Sequence, residues 1–165
     1  MDGGPVMIIK NAIAKRAKAL IASRNPDFVI GPSADDPYML RWWWIPRNRF
    51  FNVYVHAILQ DDDDRALHDH PWPSLSLMIE GQIDEAYRAS NGDNALRRLS
   101  EGEWVWRGPK FLHRLMLPGA PAITVFITGP RIREWGFACP QGWVSWRDFV
   151  AKDDAGSVGR GCGEQ

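Results

Sequence analysis

The chain has 165 residues, of which 45% are hydrophobic and 24% charged, and its twenty basic and twenty acidic side chains cancel. That balance argues against a broad polyanion-binding surface, and no run approaches the ~18 apolar residues of a membrane span. A single domain of this length buries about two-thirds of its unfolded surface, enough for a core that needs no disulfides.

Residues 6–23 predict a helix: Ile9, Ile13, Ala17 and Leu20 recur at helical spacing, while Lys10, Lys15 and Lys18 lie elsewhere on the wheel. Pro26 ends it, because a proline disfavours helical geometry in its predecessor. Residues 1–25 therefore read as a helix packed on the outside of the main body. Residues 1–60 hold eight basic and four acidic side chains, and residues 61–165 hold twelve and sixteen. An offset of that size implies no nucleic-acid partner.

From Phe28 the pattern changes to short β-branched and aromatic segments punctuated by Gly and Pro. Strands are predicted at 28–30, 39–45, 50–59, 74–79, 83–88, 95–99, 104–107, 113–117 and 122–128. Asn91-Gly92 marks a hairpin, since both residues tolerate positive φ. Such spacing predicts an all-β sandwich or barrel over residues 26–150. In the run Trp42-Trp43-Trp44, two rings share a face, and at least one is expected at a subunit interface or beneath the helix. Residues 130–149 are too aromatic for a disordered tail and are expected to pack back on the barrel, irregular or as short helix. Residues 151–165 read as a flexible tail. Cys139 and Cys162 are too few for a disulfide scaffold and fit a reducing cytosol, with Cys139 a small buried residue. The N-terminus carries no secretory pattern. The expectation is a soluble cytoplasmic domain.

The sharpest feature is His68-Asp69-His70. In an extended strand, side chains at i and i+2 share a face, so the two imidazoles converge on one point, as suits a divalent transition metal. His113 lies about 45 residues downstream, beyond the predicted hairpin, where antiparallel topology can bring it alongside. Ser74, Ser76 and Met78 share the parity of His68 and His70 and are candidate pocket residues. Trp104 and Trp106 share a strand face and are candidate aromatic walls of the same pocket. Tyr54 and His56 share another face and are candidate catalytic residues, as a proton shuttle or a shell behind the ligands. Arg47, Arg49, Arg65, Arg107, Arg114, Arg131 and Arg133 flank predicted strands as possible anion anchors. By parity, Arg107 is expected to face away from the metal, and so is Arg114. The Asp61–Asp64 run lacks the spaced ligands of a calcium loop and reads as a solvated loop.

These residues resemble the two motifs of the cupin superfamily. The first runs His-x-His, a Glu after three or four residues, then a Gly six residues on; here it gives His68, His70, Ser74 at the Glu place, and Gly81. The second gives Gly102, Gly108 at its Pro place, Lys110 at its second Gly place, and His113 in register. Pro109 sits one position late. The resemblance implies a jelly-roll barrel, a tendency to form homodimers, and one divalent metal held by His68, His70 and His113. With Ser74 in place of the carboxylate, the set resembles the neutral three-His face with which thiol dioxygenases of this superfamily hold Fe(II). Fe(II) is therefore the favoured ion, with Zn, Ni or Mn as others. Losing the carboxylate leaves extra positive charge, which favours a small anionic or thiol substrate. Two other readings stay open: a non-catalytic domain that binds a small ligand or sugar, and a sugar isomerase or epimerase using a histidine base and the Tyr54 phenol.

Overall fold

Pro5 occupies the first turn of helix α1 (Pro5–Ser23), where its missing N–H is no loss. The computed structural model describes residues 4–31, 35–62, 66–152 and 158–163. After α1 come twelve strands among the described residues: β1 (Phe28–Ile30), β2 (Met39–Trp43), β3 (Asn52–Ile58), β4 (Leu67–His68), β5 (Ser74–Glu80), β6 (Gln82–Arg88), β7 (Asn94–Ser100), β8 (Trp104–Arg107), β9 (His113–Met116), β10 (Ala122–Thr128), β11 (Gly136–Cys139) and β12 (Gly142–Ser145). A one-turn helix α2 (Trp146–Phe149) follows.

The strands form two six-stranded antiparallel sheets, one in the order β1-β2-β3-β10-β5-β8 and the other β12-β11-β4-β9-β6-β7. Facing each other, they make the expected all-β jelly roll. In the central strands of the first sheet, alternation assigns each face its own core. On β3 and β5, Ile58 and Met78 turn inward and pack with Met39, Ile83, Leu99, Val105 and Ala122. Val55, Leu77 and Ile79 turn outward, where Ala17, Ile13 and Leu20 of α1 cover them together with Trp42. Covered on both faces, β5 carries apolar residues on both of its sides, Met78 on one and Leu75, Leu77 and Ile79 on the other. Trp42 and Trp44 thus lie beneath the helix, and Lys18 pairs with Glu80 at its edge at 2.5 Å.

The β6–β7 hairpin turns at Asn91-Gly92 as the sequence predicts, with Gly92 at φ 89°. Gly81 turns β5 into β6 at φ 79°, and a Cβ there would come within 2.7 Å of the Pro121 carbonyl oxygen. No larger residue fits that turn.

Residues after 130 depart from the sequence expectation. They are not irregular: β11 and β12 form a hairpin that adds to the edge of β4, pairing Phe137 with His68. The two cysteines are not free thiols either; Cys139 and Cys162 form a disulfide, with Cα atoms 5.4 Å apart. Backbone hydrogen bonds explain the encounter. The N–H groups of Gly159 and Gly161 donate to the Phe149 carbonyl, and Val158 bridges Val150, which lays residues 158–163 against β11. Phe149 stacks on Phe137 with centroids 3.6 Å apart, closing a small core around this disulfide. Among the described residues, no helix is long and apolar enough to cross a membrane.

Candidate metal centre

Strands β4 and β9 pair directly at His68 and His113, and His70 follows β4 by two residues. The three imidazoles therefore meet inside the barrel, with one ligand nitrogen from each within 4.8 Å of the others. His70 Nε2 and His113 Nε2 stand 2.8 Å apart. Nitrogens bound to one ion at ~2.0–2.1 Å sit about 3 Å from each other, so this pair already has the spacing of neighbouring ligands.

His113 owes its orientation to Glu85. This carboxylate has no exposed surface and lies on the inward face of β6, between Ile83 and Tyr87. Its Oε1 accepts from His113 Nδ1 at 2.6 Å and from Arg107 Nε at 2.5 Å, and its Oε2 accepts from Arg97 Nε at 2.6 Å. Burial alone would raise the Glu85 pKa. The His113 hydrogen bond and the Arg107 charge more than offset that and hold it at about 2. Burial pushes His113 the other way, down to about 4, against the pull of Glu85. The pair is thus an anionic carboxylate and a neutral imidazole whose Nδ1 carries the proton, which leaves the Nε2 lone pair facing the centre. Burial, then the neighbouring His113 and His68, keep His70 neutral as well, with its pKa well below the usual value.

The His68–His70 segment is pinned from behind. Asp69 points away from the cavity and is buried, its Oδ1 accepting from Gly136 N at 2.9 Å and its Oδ2 from Trp143 Nε1 at 3.1 Å. Arg133 pairs with the same Oδ2 at 2.6 Å and donates to the Pro109 carbonyl at 2.9 Å. The β11–β12 hairpin therefore serves as the brace of the His-x-His strand. His68 Nδ1 lies 4.0 Å from Asp62 Oδ2, and Asp62 also accepts from the Tyr38 hydroxyl and from Leu115 N.

The histidines open into a cavity of about 430 Å³ between the sheets. Ser76, Met78, Thr124, Phe126 and Trp72 line it, with Phe28, Val29 and Val158 among the residues at its exposed end. Of the pocket residues expected from sequence, Ser76 and Met78 face this space. Ser74 does not line it; the side chain is buried at the start of β5 opposite Arg107, and its hydroxyl has no hydrogen-bond partner among the described residues.

Trp104 and Trp106, expected as aromatic walls, do not line the cavity. They stand on the outer face of β8, 39% and 65% exposed. The same alternation turns Arg107 inward, opposite to expectation, where it donates to Glu85 and to Ser76 Oγ. The physical reason is Glu85: an inward carboxylate requires an inward cation, and that requirement outweighs the apolar preference of the indoles. Arg65 lies outside the described residues, as do Asp63 and Asp64.

Tyr54 and His56 share a face of β3, with rings stacked at 5.9 Å. His56 lines the cavity, and its Nε2 accepts from Arg41 Nε at 2.9 Å. Phe126 lies between this group and the metal ligands, its ring 5.2 Å from that of His56 and 6.3 Å from that of His70. The residues that sequence reasoning missed are Glu85, Asp69, Asp62 and Arg41. Two carried a signal: Glu85 shares strand parity with Ile83, and Arg41 with Met39, so each is a charge on a core-facing position.

No family model and no curated protein matches the sequence. Solved structures match it in fold. The DMSP lyase DddQ from Ruegeria pomeroyi DSS-3 aligns with a TM-score of 0.51 at 15% identity, over 68% of this chain and 57% of that one. Fe(II)-HppE aligns at 0.48 and 16% identity, over 64% and 58%, and a Bacillus subtilis oxalate decarboxylase variant at 0.48 and 14%, over 68% and 28%. The chain thus spans little more than half the length of the first two and under a third of the last.

Proposed function

We propose that the chain is a cupin and a mononuclear metal enzyme, because its jelly roll brings three histidines together in the barrel. His68, His70 and His113 hold one divalent ion, with Fe(II) favoured, and the reaction is oxygenation of a small anionic or thiol substrate. The observation that carries this reading is the tie between His113 Nδ1 and the buried Glu85, which aims a neutral imidazole at the other two. A buried carboxylate behind a ligating histidine fixes its tautomer and raises its basicity. Bound there, such an ion would supply Lewis acidity and one-electron redox chemistry.

The chain's own residues do the rest. Asp69 and Arg133 fix the segment that bears His68 and His70, so the ligands are set before any ion arrives. Arg107 and Arg97 keep Glu85 ionised. Met78, Phe126 and Trp72 give the cavity apolar walls that exclude water from a bound substrate. With three neutral histidines as its ligands, a bound divalent ion would keep its positive charge, which favours an anionic ligand.

Elemental analysis of untagged protein tests the reading, alongside a His68→Ala, His113→Ala double variant. Near-stoichiometric iron in the parent and none in the variant supports it, followed by O₂ uptake with Fe(II) and a panel of small thiols and carboxylates. No metal in either protein after anaerobic reconstitution sinks it. Tight ligand binding without turnover would favour the non-catalytic binding domain instead.

A further inference from the structure

Most cations near the cavity are matched to a carboxylate: Arg107 and Arg97 to Glu85, Arg133 to Asp69. Arg41 is the exception. It lines the cavity from β2, and among the described residues no acidic group pairs with it. Its Nε donates to His56 Nε2 at 2.9 Å, and its guanidinium carbon lies 4.9 Å from the centroid of the Tyr54 ring. Burial lowers its pKa from the usual arginine value, and the charge of Arg47 acts in the same direction.

This arrangement is built rather than incidental. His56 is itself buried and held neutral, its pKa pushed well below the ordinary value first by burial and then by the Arg41 charge. A neutral His56 that accepts at Nε2 carries its proton on Nδ1, so it steadies the guanidinium without adding charge. The Tyr54 face fixes the plane from one side. With Nε engaged, the two terminal amino groups remain, and neither has a hydrogen-bond partner among the described residues. This half-buried cation lines the cavity with no carboxylate against it among the described residues, which leaves it available to an anion there. The Nη1–Nη2 edge matches a carboxylate in two parallel hydrogen bonds, and one positive charge matches one negative charge.

We propose that Arg41 is the anion anchor of the cavity, receiving the carboxylate of a small ligand whose apolar body lies along Phe126 toward the three histidines, with Tyr54 and His56 as its positioning residues. This recasts those two side chains, which the sequence offers as catalytic, as the holders of a binding group. Thr124, opposite His56 in the β3–β10 register, adds a hydroxyl to the same wall. The proposal deepens the metal-enzyme reading and rests on it for the reaction, though carboxylate binding itself needs no metal.

The test is a nuclear magnetic resonance titration of metal-free protein with butyrate and with its neutral analogue butyramide, following the arginine side-chain N–H signals. The parent is expected to bind butyrate at least tenfold more tightly, with the Arg41 signals shifting most. Arg41→Met should bring butyrate down to the level of butyramide, and Arg41→Lys, which keeps the charge but not the fork, should fall between. Equal affinity of the parent for both probes overturns the proposal and requires no variant to fold. Butyrate binding by folded Arg41→Met at parental strength overturns it too. Metal content of the same samples separates the two claims: Arg41→Met is expected to load metal like the parent. A parent that prefers butyrate but takes up no metal upholds the anchor and overturns the metal reading.

Discussion

Glu85 Oε1 and His113 Nδ1 share a 2.6 Å hydrogen bond in a part of the barrel where Glu85 has no exposed surface. Through it, one strand sets the tautomer of a ligand on its neighbour. Glu85→Gln keeps the shape but removes the charge, so the amide can stabilise either tautomer of His113. Loss of such a partner weakens metal affinity by roughly 10–100-fold. Competition against a chelator of known affinity measures this, and unchanged affinity would mean that Glu85 does not orient the ligand. Thermal stability should drop as well, because Arg107 and Arg97 lose their shared carboxylate.

Acid should destabilise the metal-free protein across a wide window, for two reasons that add. His113 titrates at about 4 in the folded barrel, below its ordinary value of 6.5, and His70 is shifted in the same direction. Between those pH values the unfolded chain binds protons that the folded chain refuses, so stability falls as pH drops from about 6.5 toward 4. Glu85 is depressed from 4.5 to about 2, so its contribution is present above 4.5 and lost as pH falls toward 2. That shift corresponds to about 3 kcal/mol. Urea unfolding at pH 7.5, 5.5 and 4 should show falling midpoints, and Glu85→Gln should flatten the decline below pH 4.5. A parent curve that is level from pH 7 to 4 would contradict the neutral, buried histidines.

How much of this the sequence disclosed depends on whether a feature is local. His68 and His70 are legible because i and i+2 share a face of any strand, whatever the strand packs against. Pairing them with His113 needed the family spacing, since it depends on which strands become neighbours. For β8, alternation separates Trp104 and Trp106 from Arg107, yet it does not say which set faces in. Apolarity favours the indoles, but Glu85 on β6 reverses the choice, and that information is more than twenty residues away. The Cys139–Cys162 bridge was illegible for a similar reason. It forms only because β11 and β12 turn back and the Phe149 carbonyl gathers Gly159 and Gly161. Arg41 immediately precedes three tryptophans in sequence, and its role emerges only when β2 is laid beside His56 and Tyr54 of β3.

The orientation of β8 has a direct consequence. Trp106 is 65% exposed, so Trp106→Ala should change unfolding free energy by about 0.5 kcal/mol or less and leave ligand binding untouched. Met78 is buried in the inter-sheet core and lines the cavity, so Met78→Ala should cost about 2–5 kcal/mol. Chemical denaturation of the two variants side by side checks the assignment of faces. A large loss for Trp106→Ala with a small one for Met78→Ala would invert it.

The disulfide links positions 23 residues apart and closes a loop that includes β12, α2 and Val158. Closing a loop of that length in the unfolded chain is worth about 3 kcal/mol in the entropic account. Non-reduced, denatured protein should therefore show no titratable thiol, and reduced protein two. Cys162→Ser should lower the unfolding free energy by about that amount. It should also speed backbone hydrogen exchange at Gly159 and Gly161, whose N–H groups are held by Phe149. Because Phe149, Val150 and Val158 line the cavity, release of this segment should accelerate ligand dissociation while the three histidines keep their metal affinity. A variant that loses metal affinity and ligand retention together would instead make the C-terminal segment part of the support of the metal centre, through the contact of Phe137 with His68.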